Sequence, residues 1–177
     1  ANAMGDRCTV LTARAGNVIG GGDFAEDRIL PDAVRAFSRG EKLGLRYPQA
    51  IRPWQHVLDP LIGYLTLCER SFKKSHEYSG AWNFGPSADH EWSVEELVQG
   101  FARHWAGAQW HWQAGLNPPE TSVLRLDSSK AREQLDWACR LPLDEALRWS
   151  AQFYQAMAQG ADVRALMQSQ IEDYLSQ

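Results

Sequence analysis

Arg14-Ala15-Gly16-Asn17-Val18-Ile19-Gly20-Gly21-Gly22-Asp23 is the stretch on which the reading of this chain turns. Before it, Cys8 to Ala13 is apolar and β-branched, the pattern of a buried strand. The glycines invite a nucleotide-loop interpretation. A P-loop would continue as Gly-Lys-Ser/Thr, whereas Asp23-Phe24 follows here. A dinucleotide fingerprint would place its glycines at the turn into the first helix of a strand-helix-strand unit, with an acid about 20 residues on. Neither pattern fits. By pattern alone, the run is a glycine turn between a strand and a helix.

Working outward, a helix is expected to begin near Asp27 or Pro31, with Ile29, Ala33, Val34 and Phe37 as its apolar stripe and Gly40 as its end. Leu43 to Tyr47 reads as a short strand. Val57, Leu61, Tyr64, Leu65 and Cys68 have helical spacing, which predicts a helix to about Phe72. Trp82-Asn83-Phe84 is a strand before the turn signal Gly85-Pro86. Ser93 with Glu96 forms a capping box that opens a helix through Leu97, Phe101 and Trp105. Trp110 to Gln113 is extended. Three further helices are predicted, from Ser128 or Ser129 through Leu135, from Pro142 through Met157, and from Val163 to Tyr174. No repeat or linker divides the chain.

Composition narrows the function classes. A chain of 177 residues with 44% hydrophobic and 23% charged residues supports one domain with a core. A net charge of −4 with scattered basic residues disfavours nucleic acid as a partner. No apolar run is long enough to span a bilayer, so no membrane partner is expected. Cys8, Cys68 and Cys139 are odd in number and widely spaced; with Cys8 and Cys68 in apolar stretches, they read as buried free thiols of a reducing, cytoplasmic protein. The histidines do not recur at ligand spacing, so no metal site is expected. No Gly-x-Ser-x-Gly elbow frames a serine nucleophile. Trp105, Trp110 and Trp112 read as core rather than as a sugar-stacking platform, and Asp59 as a structural acid near a helix start.

Together with Arg52-Pro53-Trp54-Gln55-His56-Val57, the opening stretch resembles the CDP-glucose 4,6-dehydratases of the extended short-chain dehydrogenase superfamily, and does so for their C-terminal half only. The resemblance runs from about Cys8 to Tyr174. It implies an α/β fold, mostly helical with short strands: the C-terminal substrate-binding portion of such an enzyme, lacking most of the Rossmann sheet. Residues 8–177 would form this portion, with strands near 8–13 and 82–84 belonging to the sheet of an intact enzyme. Residues 1–7 would be a tag remnant or a truncated N-terminus.

The family's Arg-x-x-Asn-Val-x-Gly motif is matched at Arg14, Asn17, Val18 and Gly20, which implies that Asn17 donates to the substrate diphosphate. Arg28 matches a basic position near the phosphates, and Leu43 to Tyr47 a stretch that meets the nucleobase. Arg52 stands where the family holds the diphosphate, and a planar guanidinium suits bidentate phosphate binding. Asn83, in Trp82-Asn83-Phe84-Gly85-Pro86, either faces the site or bonds local backbone. Glu120 matches an acid that accepts from ribose hydroxyls, although Pro118-Pro119-Glu120-Thr121 departs from the family's Pro-His-Glu-Ala. The stretches Leu124 to Ala131 and Leu135-Asp136-Trp137 match two more signatures, with Asp136 in place of glycine.

The implied chemistry is oxidation of a glucose 4-hydroxyl by NAD, loss of water across C5–C6, and hydride return to C6. The Gly-rich NAD loop and the catalytic Tyr-x-x-x-Lys would lie in the absent half. None of Tyr47, Tyr64, Tyr78, Tyr154 or Tyr174 is followed by lysine at that spacing. No catalytic residue is therefore assigned, NAD is not expected to bind this chain alone, and turnover by it is not expected. Strands detached from their sheet should expose apolar faces and unpaired edges, implying self-association or an N-terminal partner half. Two alternatives stand beside this reading: a stand-alone sugar-nucleotide-binding module, and a non-catalytic interaction protein that has kept only the fold.

Overall fold

The computed structural model describes residues 10–74, 77–87, 91–113, 115 and 120–177. Cys8, His76, His90, Pro118 and Pro119 lie outside the described residues, as does the segment 1–7. The elements in chain order are β1 (Leu11–Ala15), β2 (Asn17–Ile19), α1 (Ile29–Ser38), β3 (Leu43–Leu45), β4 (Ile51–Arg52), β5 (Trp54–His56) and α2 (Leu58–Lys73). After them come β6 (Gly80–Phe84), β7 (Trp92–Ser93), α3 (Val94–Ala102), β8 (Trp110–Trp112), α4 (Ser129–Leu135), α5 (Leu143–Ala158) and α6 (Val163–Leu175). Among the described residues the strands form four two-stranded sheets. Three are parallel, β1 with β6, β2 with β5 and β3 with β8, and β4 with β7 is antiparallel.

Local signals account for many of the boundaries. Ser93 accepts from the Glu96 amide while Glu96 accepts from the Ser93 amide, so the capping box forms in full. Gly40 follows α1 with φ +68, and its N–H donates to the Phe37 carbonyl, the usual left-handed stop. Asp136 ends α4 with φ 55, the conformation in which the family's glycine would sit without strain.

Of the strand expected at 8–13, residues 8 and 9 lie outside the described residues; the strand observed is Leu11–Ala15, in register with β6 from Leu11↔Gly80 to Ala15↔Phe84. It stops at Gly16, whose N–H donates to the Phe84 carbonyl. The three-residue β2 and β5 and the two-residue β4 and β7 are too short to show a period of two in sequence.

The apolar cores are two. The first gathers Ile19, Leu30, Phe37, Leu43, Leu45, Trp54, Leu97, Phe101, Leu147, Trp149 and Tyr174 among its buried members. The second joins Leu67 of α2, Trp82 and Phe84 of β6, and Ala131, Leu135 and Trp137. Asp59 bridges them. This fully buried acid accepts from the Arg140 amide (2.8 Å) and the Tyr174 hydroxyl (2.7 Å), and its own carbonyl accepts from Trp137 Nε1 (2.9 Å). Its second carboxyl oxygen is buried with no hydrogen bond among the described residues, and burial raises its pKa.

The apolar stripe expected to be buried on α2 lies partly open. The helix forms, but it buries Asp59, Pro60, Gly63 and Leu67, while Leu61, Leu65 and Phe72 are exposed. Cys68 shares that exposed face and is a free, accessible thiol rather than a buried one; Cys139 is half-buried. Periodicity finds a helix face without saying which neighbour covers it. Trp112 is also exposed, at 69%, unlike Trp105 and Trp110, which pack against the first core.

Candidate functional site

The glycine run of the opening stretch is built into the protein. A Cβ on Gly21 would lie 2.1 Å from Cγ of Phe153, so only glycine lets the loop lie against α5. Tyr154, on the same helix, donates its hydroxyl to the Asp23 carbonyl (2.7 Å) and approaches that of Gly20 (3.3 Å). Burial pushes its phenol up to about 12. Arg35 holds the next turn through the carbonyls of Phe24 and Ala25. A dinucleotide cradle lies at the turn into the first helix of a strand-helix-strand unit, whereas this run follows the three-residue β2 and packs Gly21 against Phe153 of α5. The run does not have the form of a dinucleotide cradle.

Beyond that loop the chain opens into a cavity of about 290 Å³. Asn17, Arg28, Arg52 and Glu120 all line it, brought there by β2, the start of α1, β4 and the segment before α4. Leu43 to Tyr47, the expected base-contact stretch, forms another wall. Asn17 pairs through its backbone with Trp54, and its side-chain amide has no hydrogen bond among the described residues. Arg52 is only 7% exposed; it donates from Nη1 to its neighbour's carbonyl at Ile51 (2.7 Å) and from Nη2 to the Glu120 carboxylate. Asn83 is elsewhere. It sits opposite Arg14 in the β1–β6 register, accepts from Arg14 Nε (2.7 Å) and donates to the Asp127 carbonyl (2.8 Å).

Several lining residues had no sequence-level assignment. Asp27 and Arg46 line the cavity and form an exposed ion pair at 3.4 Å. Trp54 is a buried wall whose indole nitrogen has no partner among the described residues. Their signal was faint: both charged residues lie in or beside segments already singled out, but nothing in a linear pattern couples positions 27 and 46. Behind the cavity floor, His56 is 3% exposed and meets Trp149 edge-on at 5.6 Å, and burial lowers its pKa to about 4. It is a neutral structural histidine.

Comparison with known proteins agrees with this architecture. The chain is 40% identical over 168 residues to a CDP-glucose 4,6-dehydratase from Salmonella typhimurium, a match covering 94% of this chain and 47% of that protein. The chain thus spans about half the length of the curated relative it matches. No family model matches. A solved UDP-glucose 4-epimerase from Stenotrophomonas maltophila, with bound NAD and formylated UDP-arabinopyranose, superimposes with a TM-score of 0.73 at 18% identity, covering 89% of this chain and 51% of that one. A dTDP-glucose 4,6-dehydratase from Bacillus anthracis, in complex with NAD, gives 0.65 at 17% identity, covering 88% and 47%. The fold is that of the C-terminal part of the extended short-chain dehydrogenases.

Proposed function

We propose that this chain is the substrate-holding portion of a CDP-glucose 4,6-dehydratase-like enzyme of deoxysugar biosynthesis, and that its ligand is a nucleoside-diphosphate sugar, CDP-glucose foremost. The observation that carries the reading is convergence. Asn17, Arg28, Arg52 and Glu120 come from four separated segments and line one cavity. Amide and guanidinium donors suit a diphosphate, and a half-exposed carboxylate can accept from ribose hydroxyls. At about 290 Å³ the cavity is at the small end for a ligand site. It would seat the nucleotide and leave the sugar directed outward, toward the part of the enzyme where oxidation and dehydration would occur.

In this reading residues 8–177 work as one unit, NAD belongs to the part of the fold absent from this chain, and the chain alone does not turn over. The covering partner would be that N-terminal part or, failing it, a second copy. Two features support this. Among the described residues β1 pairs only with β6, and the α2 face of Leu61, Leu65 and Phe72 lies open beside that layer. The free thiols Cys68 and Cys139 fit a reducing, cytoplasmic setting.

Calorimetric titration with CDP-glucose, against UDP-glucose, dTDP-glucose and NAD, tests the proposal. Binding of CDP-glucose in preference to the other sugar nucleotides, with no response to NAD, is the expected result. Absence of binding to any sugar nucleotide would overturn it.

A further inference from the structure

The cavity that would receive a dianion already pairs two of its arginines from within, and Asp23 and Asp32 line it beside Asp27 and Glu120. Three arginines line it. Arg52 is held by Glu120 and Arg46 by Asp27, which leaves Arg28 as the lining arginine with no ion pair among the described residues. The two pairs differ in kind. The Arg46–Asp27 pair is exposed and 3.4 Å apart, so solvent screens it. The Arg52 side chain is 8% exposed and that of Glu120 is 47% exposed. A buried guanidinium fixed to the backbone at Ile51 thus faces a carboxylate that is half open to solvent.

Resting on the proposed diphosphate-sugar reading, we infer that Glu120 is a specificity gate: its carboxylate occupies the diphosphate seat on Arg52 until the correct ligand displaces it. A carboxylate and a phosphate offer the same oxygen-pair geometry to a guanidinium, so the two compete for the same donors. Displacement leaves Glu120 on the cavity wall, within the site, where a ribose would give it hydroxyl donors in exchange for the lost cation. A ligand carrying both a diphosphate and a ribose returns a partner to each member of the pair. An inorganic diphosphate satisfies Arg52 and strands Glu120 beside added negative charge, so it is rejected. Glu120 is therefore a specificity-determining residue for the combination of ribose and diphosphate, rather than for either alone.

Three probes separate the parts: inorganic pyrophosphate, which has no ribose; cytidine, which has no phosphate; and CDP-glucose, which has both. Each is titrated into the wild type, E120Q, R52Q and the double variant, with E120A as a second form and thermal melts confirming that each folds. The gate predicts that E120Q binds pyrophosphate about tenfold more tightly than the wild type, that this gain disappears in the R52Q background, and that cytidine is bound no better. Unchanged or weaker pyrophosphate binding in both E120Q and E120A overturns the gate. The underlying reading fails in a distinguishable way: the wild type then binds no CDP-glucose, even where pyrophosphate binding rises on removal of the Glu120 charge.

Discussion

His56 sets up a pH test of the floor beneath the cavity. Its ring is buried against Trp149, its strand pairs Ile19 with His56, and Nδ1 accepts from the Leu58 amide at 3.4 Å. Burial lowers its pKa from 6.5 to about 4 because the imidazolium would lose hydration without gaining a carboxylate partner. The sign follows from linkage. The unfolded chain takes up a proton near pH 6.5 and the folded one resists until about pH 4. The stability that neutral His56 contributes is complete above pH 6.5, declines as pH falls toward 4, and is gone below it. At 1.36 kcal/mol per pKa unit, the loss is about 1.4 kcal/mol at pH 5.5 and about 2.6 kcal/mol at pH 4.5. His56→Gln keeps an acceptor for Leu58 and removes the titration. Urea unfolding of both proteins from pH 7.5 to 4.5 isolates the effect, since other groups cancel in the difference. The wild type should lose about 2.6 kcal/mol more than H56Q by pH 4.5. Parallel curves would refute the reasoning, because they would mean that the folded protein protonates His56 in place.

Other substitutions probe the loop and the open face. Tyr154→Phe removes the hydroxyl that holds the Asp23 carbonyl and approaches that of Gly20, and should cost about 1–2 kcal/mol in denaturant unfolding while weakening CDP-glucose binding through the displaced Arg28 segment. Gly21→Ala drives a methyl into the Phe153 ring and should cost about 1–3 kcal/mol, part of which Phe153→Leu restores when the two are combined. Leu65→Glu with Phe72→Glu places charge on positions 65% and 95% exposed, so unfolding free energy should change by less than about 0.5 kcal/mol per site. The same double variant should reduce any self-association seen by light scattering; unchanged association would show that this face is not what joins copies.

Much of the fold is legible in sequence because its signals are local. Ser93 and Glu96 sit three apart and cap α3, Gly40 stops α1, and Asp136 takes the left-handed turn that its glycine-like position implies. What was not legible depends on partners distant in the chain. β1 runs on to Ala15, past the end of its apolar run, because pairing with Gly80 to Phe84 sets its register. The exposed face of α2 has the spacing of a buried one, and Cys68 lies on it. The site divides in the same way. Resemblance singled out Asn17, Arg28, Arg52 and Glu120 individually, and each lines the cavity. That Arg52 is bonded to Glu120, 68 residues away, follows from no motif in either segment. Asn83 shows the converse: the signature is present, yet its side chain is spent on Arg14 and the Asp127 carbonyl.

The division into two cores bears on what this portion of a fold can do by itself. Ile19, Leu30, Leu43, Leu45 and Trp54 line the cavity and all belong to the first cluster, which is closed by α1, α3 and α5. The open strand edge of β1 and the exposed face of α2 belong to the layer built on the second, smaller cluster. A partner that covers that layer therefore buries surface away from the cavity floor. A ligand in the cavity and a partner on that layer would therefore rest on different sets of contacts, and Asp59 is one tie between them, through Arg140, Trp137 and Tyr174. A buried carboxylate with an unpaired oxygen is an expensive tie, and removing one of its donors leaves the charge less compensated still. Loss of the Tyr174 hydroxyl should thus loosen the hold of one cluster on the other before it disturbs the Arg52–Glu120 pair, which rests on β4 and the segment preceding α4.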